Sequence, residues 1–143
     1  MSIEHILGRK EPLLYLVTHE EGRAEAAVQA YCEQQTPPLP LFRWSSTRGL
    51  EKMQRGVVES VKVSEHSDPR VQAQAPLVSV LNYIVNECAH DGVFLLRDVH
   101  HYLREGSGFN PAVALTIRAL REAFYELRSL RKARKLIMLS CEA

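Results

Sequence analysis

Chemistry in this chain would have to sit where apolar runs give way to short polar ones. The first such place follows Leu13-Leu14-Tyr15-Leu16-Val17, where the chain reads Thr18-His19-Glu20-Glu21-Gly22-Arg23-Ala24-Glu25. A strand-to-helix junction binds nucleotide phosphates when it carries G-x-x-x-x-G-K-[ST], whose free amides and lysine cradle the oxygens. This junction has neither the glycines nor the lysine. Thr18 to Glu21 fits a capping box instead, with the Thr18 hydroxyl accepting from the Glu21 N–H and the Glu21 carboxylate reaching back. Those amides are then taken, and Glu20 and Glu21 put negative charge where phosphate would bring more.

The second place is Gly92-Val93-Phe94-Leu95-Leu96-Arg97-Asp98, an apolar strand closed by an aspartate. In a phosphoryl-transfer site that aspartate helps hold Mg²⁺ and a following glutamate helps activate water. Val99 follows here, so Asp98 is expected to accept hydrogen bonds from loop amides or from the capped helix region rather than to hold magnesium. His100 and His101 stand close by. On an extended segment neighbouring side chains point apart, and neither a cysteine nor a third histidine lies at zinc spacing, so no metal site is expected. No nucleophile elbow or Ser/His/Asp spacing occurs, so neither catalytic residues nor a cofactor is expected.

If the strands are parallel, their carboxyl ends form one rim, where open sheets of this kind bind ligands. Thr18, Ser46, Asp98 and Ser140 are the candidate rim site. A second candidate is the basic patch of Arg128, Arg131, Lys132 and Arg134. Cations suit a helix C-terminus because the helix dipole is negative there. The patch has no interleaved aromatics for base stacking, and the net charge of the 143 residues is only +1, which argues against nucleic acid as partner.

The elements that would position these groups follow from periodicity. Residues 2–8 suggest a short lead-in helix. Strand one is 13–18. Helix A runs over 20–34 with Ala24, Ala27, Val28 and Tyr31 on one face, and Pro37, Pro38 and Pro40 end it. Strand two is 41–46. Val57 to Val63 suggests a short edge strand with Val57, Val61 and Val63 on one side, and 64–75, with Pro69, reads as loop. Helix B covers 76–89 on the stripe Leu77, Val80, Leu81, Ile84, Val85 and Cys88. Strand three is 93–97. Helix C begins at Asn110-Pro111, a good cap and first residue, and its apolar face is Ile117, Leu120, Phe124, Leu127 and Leu130. Strand four is 136–140.

Strands alternating with helices, three of the strands almost wholly apolar, imply a three-layer α/β fold with a mainly parallel sheet. Hydrophobic residues make up 45% and charged residues 24%, enough for one domain spanning 1–143. Cys32, Cys88 and Cys141 lie in apolar patterns and read as free thiols of a reducing compartment. The first twelve residues carry no leader-like apolar run, and no window approaches a membrane span. The expected location is cytoplasmic, with no membrane association.

Residues 12–24, Pro12-Leu13-Leu14-Tyr15-Leu16-Val17-Thr18-His19-Glu20-Glu21-Gly22-Arg23-Ala24, resemble the opening of the hypothetical-chloroplast-frame AAA-type ATPases of cyanobacteria and plastids. Phe42-Arg43-Trp44-Ser45 with Gly49-Leu50 resembles that family's second block. Gly92 to His100 resembles the third, and Lys135-Leu136-Ile137-Met138-Leu139-Ser140 the fourth. Residues 51–75 and 103–112 carry no family pattern. The resemblance implies the degenerate N-terminal domain of such proteins, a P-loop-NTPase-like fold with strand order 1-4-3-2. Asp98 would fall at the Walker B position and Ser140 at the end of the sensor-one strand. It further implies a non-catalytic domain that works in protein–protein interaction or in regulation of an AAA module, with that module or a second copy as partner. The alternative is a small-molecule or nucleotide sensor using the carboxyl rim. In the 1-4-3-2 order strand one is an edge, expected to be hidden by self-association, by residues 3–7, or by the last few residues.

Overall fold

The computed structural model describes residues 5, 7, 8, 11–104, 110–129 and 134–140. In chain order these form β1 (Leu13–Val17), α1 (Glu21–Gln34), β2 (Leu41–Ser45), β3 (Gly49–Gln54), β4 (Val57–Ser60), α2 (Pro69–Gln74), α3 (Pro76–Asn82), β5 (Gly92–Leu96), α4 (His100–Leu103), α5 (Pro111–Ser129) and β6 (Arg134–Ser140). One six-stranded sheet runs β1-β6-β5-β2-β3-β4. The β1/β6, β6/β5 and β5/β2 pairs are parallel, and β2/β3 and β3/β4 are antiparallel.

This order corrects the four-strand 1-4-3-2 sheet expected from the sequence. The difference lies in residues 49–60, which form two further strands beyond β2. The turns make them possible. Arg55 and Gly56 both have positive φ, 54° and 77°, as a two-residue type I′ hairpin requires, and Gln54 pairs with Val57 across them. At the preceding corner Ser45 pairs with Gly49. Gly49 has φ 69°, the left-handed residue that closes a three-residue hairpin loop. The edge strand is 57–60 rather than 57–63. Val57 and Val58 are exposed on it, while Val61 and Val63 pack against the core.

Helices cover both faces, so β5 is buried at every position. Alternation sends Val93 and Leu95 towards α1, where they meet Ala24, Val28, Cys32, Leu41 and Ile137. It sends Phe94 and Leu96 to the other face, with Phe42, Trp44, Leu136 and Met138 under α3 and α5. Phe42 and Phe94 are register partners and stack at 4.5 Å. Gly92 begins β5 because a Cβ there would stand 2.9 Å from the Pro40 carbonyl oxygen and 3.1 Å from the Phe42 ring. Leu7, of the expected lead-in helix, is wholly buried in the α1-side core. The Lys135 ammonium donates to its carbonyl oxygen.

Three more local expectations change. Residues 69–74, expected as loop, form α2, because Asp68 caps the turn by accepting from the Arg70 N–H at 2.9 Å and Pro69 suits the first helical position. Helix B is α-helical only to Asn82. Residues 83–87 widen into a π turn closed by Cys88 N–H to the Tyr83 carbonyl at 2.8 Å. On α5 the buried stripe is Val113, Thr116, Leu120, Ala123 and Leu127. Phe124 lies at its margin, half-buried, edge-on to the exposed Tyr125 ring. Two small residues, Thr116 and Ala123, stand on that stripe beside Leu120 and Leu127, and the Thr116 hydroxyl is satisfied by the Ala112 carbonyl at 2.9 Å.

Candidate functional site

Because β1, β6, β5 and β2 are neighbours and parallel, their carboxyl ends form one rim. Thr18, Asp98 and Ser46 follow β1, β5 and β2, and Ser140 is the last residue of β6. The four residues differ in access. Ser140 is wholly buried, Thr18 and Asp98 are half-buried, and Ser46 is exposed in the β2–β3 turn. The Thr18 N–H is held by the Ser140 carbonyl at 2.8 Å, which extends the β1/β6 ladder by one rung. A half-open groove of about 760 Å³ lies elsewhere, between α3 and α5, and no rim residue lines it.

The β1–α1 junction does not form the expected capping box. The helix starts one turn position later, with Glu20 at its N-cap and no side-chain cap. The Thr18 hydroxyl accepts from the Glu20 N–H at 3.0 Å, a local turn that ends before the helix begins. Glu20 is paired with Arg23 at 3.3 Å, both largely exposed. The junction presents two carboxylates, Glu20 and Glu21, to the site where a phosphate-binding loop would present amides and an ammonium.

Asp98 sits at the β5 exit in the left-handed region, φ 55°, a conformation that aspartate tolerates better than most residues. This reverses the chain into α4, where the His101 N–H meets the Asp98 carbonyl at 3.3 Å. Residues 100–103 are therefore a helical turn, not the extended segment from which a divergent histidine pair was expected. The imidazoles of His100 and His101 lie with centroids 4.1 Å apart. Ligand atoms of Asp98, His100 and His101 fall within 4.8 Å of one another.

A second polar constellation lies on the α1 face and was not singled out from the sequence. Glu25 of α1 takes Arg97, from the β5 exit, at 2.6 Å and Arg43 of β2 at 3.3 Å. Arg43 also holds Glu51 of β3 at 3.1 Å. All four side chains are between 16% and 28% exposed, so the network is shielded and its charges balance. Its one sequence signal is Arg43, a lone cation between the buried Phe42 and Trp44 of β2.

The basic patch is described only in part. Arg128 is exposed in the last turn of α5, as the helix dipole favours. Arg131, Lys132 and the side chain of Arg134 lie outside the described residues, as does Cys141. Cys32 and Cys88 are buried thiols rather than disulfide partners, and the Cys88 Sγ donates to the His90 carbonyl oxygen at 3.4 Å. Burial pushes the Cys32 thiol up to about 12, with Glu33 adding to the effect. Burial also lowers the Lys135 ammonium below the ordinary lysine range, against the opposing pull of Glu11. Among the described residues no helix is long and apolar enough to cross a membrane.

A family model described as the N-terminal domain of SpoVK-like AAA ATPases matches residues 2–143. Comparison with curated proteins and with solved structures finds no match.

Proposed function

Since the chain belongs to the SpoVK-like AAA ATPase N-terminal domain family, we propose that it is a non-catalytic domain that regulates an AAA module or docks a protein partner for it. The observation that carries this reading is the β1–α1 junction. Among the described residues its one side-chain hydrogen bond to a backbone amide is local, the Glu20 N–H donating to the Thr18 hydroxyl. Its charged groups are Glu20, Glu21 and Arg23, with Arg23 drawn to Glu20. Such a surface repels a triphosphate and gives Mg²⁺ at Asp98 no phosphate oxygens to share. The parallel β1-β6-β5-β2 arrangement supports reading the fold as P-loop-NTPase-like with that chemistry lost. The hairpin β3–β4 would be an addition at the far edge. The resemblance of residues 12–24, 42–50, 92–100 and 135–140 to the cyanobacterial and plastid AAA proteins belongs to the same proposal.

The partner we favour is the AAA module itself. The test adds the isolated chain in trans to the ATPase module of a SpoVK-like protein and follows hydrolysis. The expected result is a saturable change in rate with no turnover by the chain alone. Calorimetry should find no Mg·ATP binding tighter than about millimolar, near 4 kcal/mol. Micromolar nucleotide affinity would overturn the non-catalytic reading and favour a sensor at Thr18, Ser46, Asp98 and Ser140. No complex and no rate change with the module would overturn the regulatory reading.

A further inference from the structure

We propose that Asp98, His100 and His101 form a binding site for one divalent transition-metal ion of the zinc class. This goes beyond the regulatory reading and stands independently of it. The donor set is two imidazoles and one carboxylate, which suits Zn²⁺, Co²⁺ or Ni²⁺ and is a poor match for Mg²⁺, which prefers an all-oxygen octahedron. Three protein ligands leave at least one position for water or for a partner's side chain.

The geometry is largely prepared. Adjacent residues on an α-helix splay by about 100°, yet these rings lie 4.1 Å apart between centroids. The backbone reversal at Asp98, φ 55°, folds the carboxylate's residue back against the turn that carries them. A left-handed non-glycine residue costs free energy and persists where its surroundings fix it. Here the fixing groups are Val99, wholly buried, and Tyr102, packed edge-on against Trp44 at 5.9 Å. His100 is 7% exposed while His101 is exposed, so one ligand is anchored and another is open to an arriving ion. Bonds of about 2.1 Å to a tetrahedral ion place donors roughly 3.4 Å apart. The present spread of up to 4.8 Å closes to that by side-chain rotation, without moving β5. Arg97, the nearest cation in sequence, is turned to Glu25 on the α1 face and its guanidinium is engaged there.

The site lies at the carboxyl rim of β5, the place where a magnesium–nucleotide site would be sought. The residues replace that chemistry with a softer one. An ion bound there would lock α4 to the end of β5 and give the rim a Lewis-acidic centre.

The experiment titrates ZnCl₂ into the metal-free chain by calorimetry, alongside Asp98→Asn and His101→Gln. Both substitutions fall on side chains that are not fully buried. One ion per chain is expected at a Kd of about 10 μM or tighter, weakened about tenfold or more in each variant. Excess Mg²⁺ should not compete. If either variant fails to fold, the Co²⁺ complex of the parent chain decides, through two paramagnetically shifted imidazole N–H resonances. Zinc binding weaker than about 100 μM, equal binding in parent and folded variants, or cobalt without imidazole shifts would each overturn the site.

Discussion

Glu25 is the test of how charge is handled inside this fold. Among the described residues it is the one carboxylate shared by two arginines, Arg97 at 2.6 Å and Arg43 at 3.3 Å. At an effective dielectric near 20, charges about 4 Å apart attract by about 4 kcal/mol. Desolvation of the three groups cancels much of that gain in the native protein, so the network's net contribution is small. Removing only Glu25 is different. Arg97 would keep its location with its carboxylate gone, and its Nε is already buried without a hydrogen-bond partner. Arg43 would retain Glu51 at 3.1 Å. The full penalty for orphaning a buried charge is about 3–5 kcal/mol. With Arg97 28% exposed, water recovers part of it, and Glu25→Ala should cost about 2–3 kcal/mol. Glu20→Ala, which breaks a pair whose side chains are 67% and 82% exposed, should stay within about 0.5 kcal/mol. Urea unfolding at low and moderate salt measures both. A double change, Glu25→Ala with Arg97→Leu, should recover much of the loss, since the orphaned cation is gone. If Glu25→Ala and Glu20→Ala are indistinguishable, or the double variant is no more stable than Glu25→Ala, the shielded-network argument fails.

Backbone conformation gives a paired prediction: Gly56→Ala, at φ 77°, should destabilise by about 1–2 kcal/mol, and Gly22→Ala, on α1 with open space around it, should stabilise by about 0.4–1 kcal/mol. Opposite shifts in melting temperature are the readout. On α5, Leu120→Ala should cost about 2–5 kcal/mol and the half-buried Phe124→Ala about 1–2 kcal/mol; a larger loss at Phe124 would place the helix face wrongly. The native state also holds the Cys32 proton more tightly than the unfolded chain does, whose thiol keeps its ordinary value of 9.0. Its contribution is complete below pH 9 and is lost as pH rises towards 12, by up to about 1.4 kcal/mol per pH unit. Cys32→Ala should therefore lose stability less steeply than the parent between pH 9 and 11, and parallel slopes in denaturant melts would contradict this.

What the sequence revealed followed from repetition. The period of α1 and α5 and the unbroken apolar runs of β1, β5 and β6 are properties of single segments, and they identified these elements within one or two residues. Residues 49–60 resisted because β3 is half-buried at most positions and lacks a clean alternation. Its register is imposed by β2, although Gly49 and Arg55-Gly56 were turn signals in plain view. Phe124 falls on the apolar face that helical spacing predicts, because a large apolar side chain suggests a core. The buried stripe of α5 instead runs through Val113, Thr116, Leu120, Ala123 and Leu127, one position away from Phe124. At Thr18 the spacing points to a capping box with Glu21, whereas the hydroxyl meets the nearer amide of Glu20. The rim was legible as four separate strand ends. The bond from Glu25 to Arg97 joins residues 72 positions apart, and no local pattern announces it.

The place of β6 in the sheet bears on biosynthesis. The last strand in chain order is an interior one, flanked by β1 and β5. Leu13 meets Leu136 there, and Val17 meets Ser140. While a nascent chain emerges from the ribosome, the local hairpins joining β2, β3 and β4 can form early. β1, made first, must wait for nearly the whole domain before its partner exists. Until residue 140 is clear of the exit tunnel, an apolar strand and the face under α1 stand open, a vulnerability that long-range parallel pairing creates. The order of synthesis and the order of the sheet thus run against each other, and the domain closes only when its two ends meet.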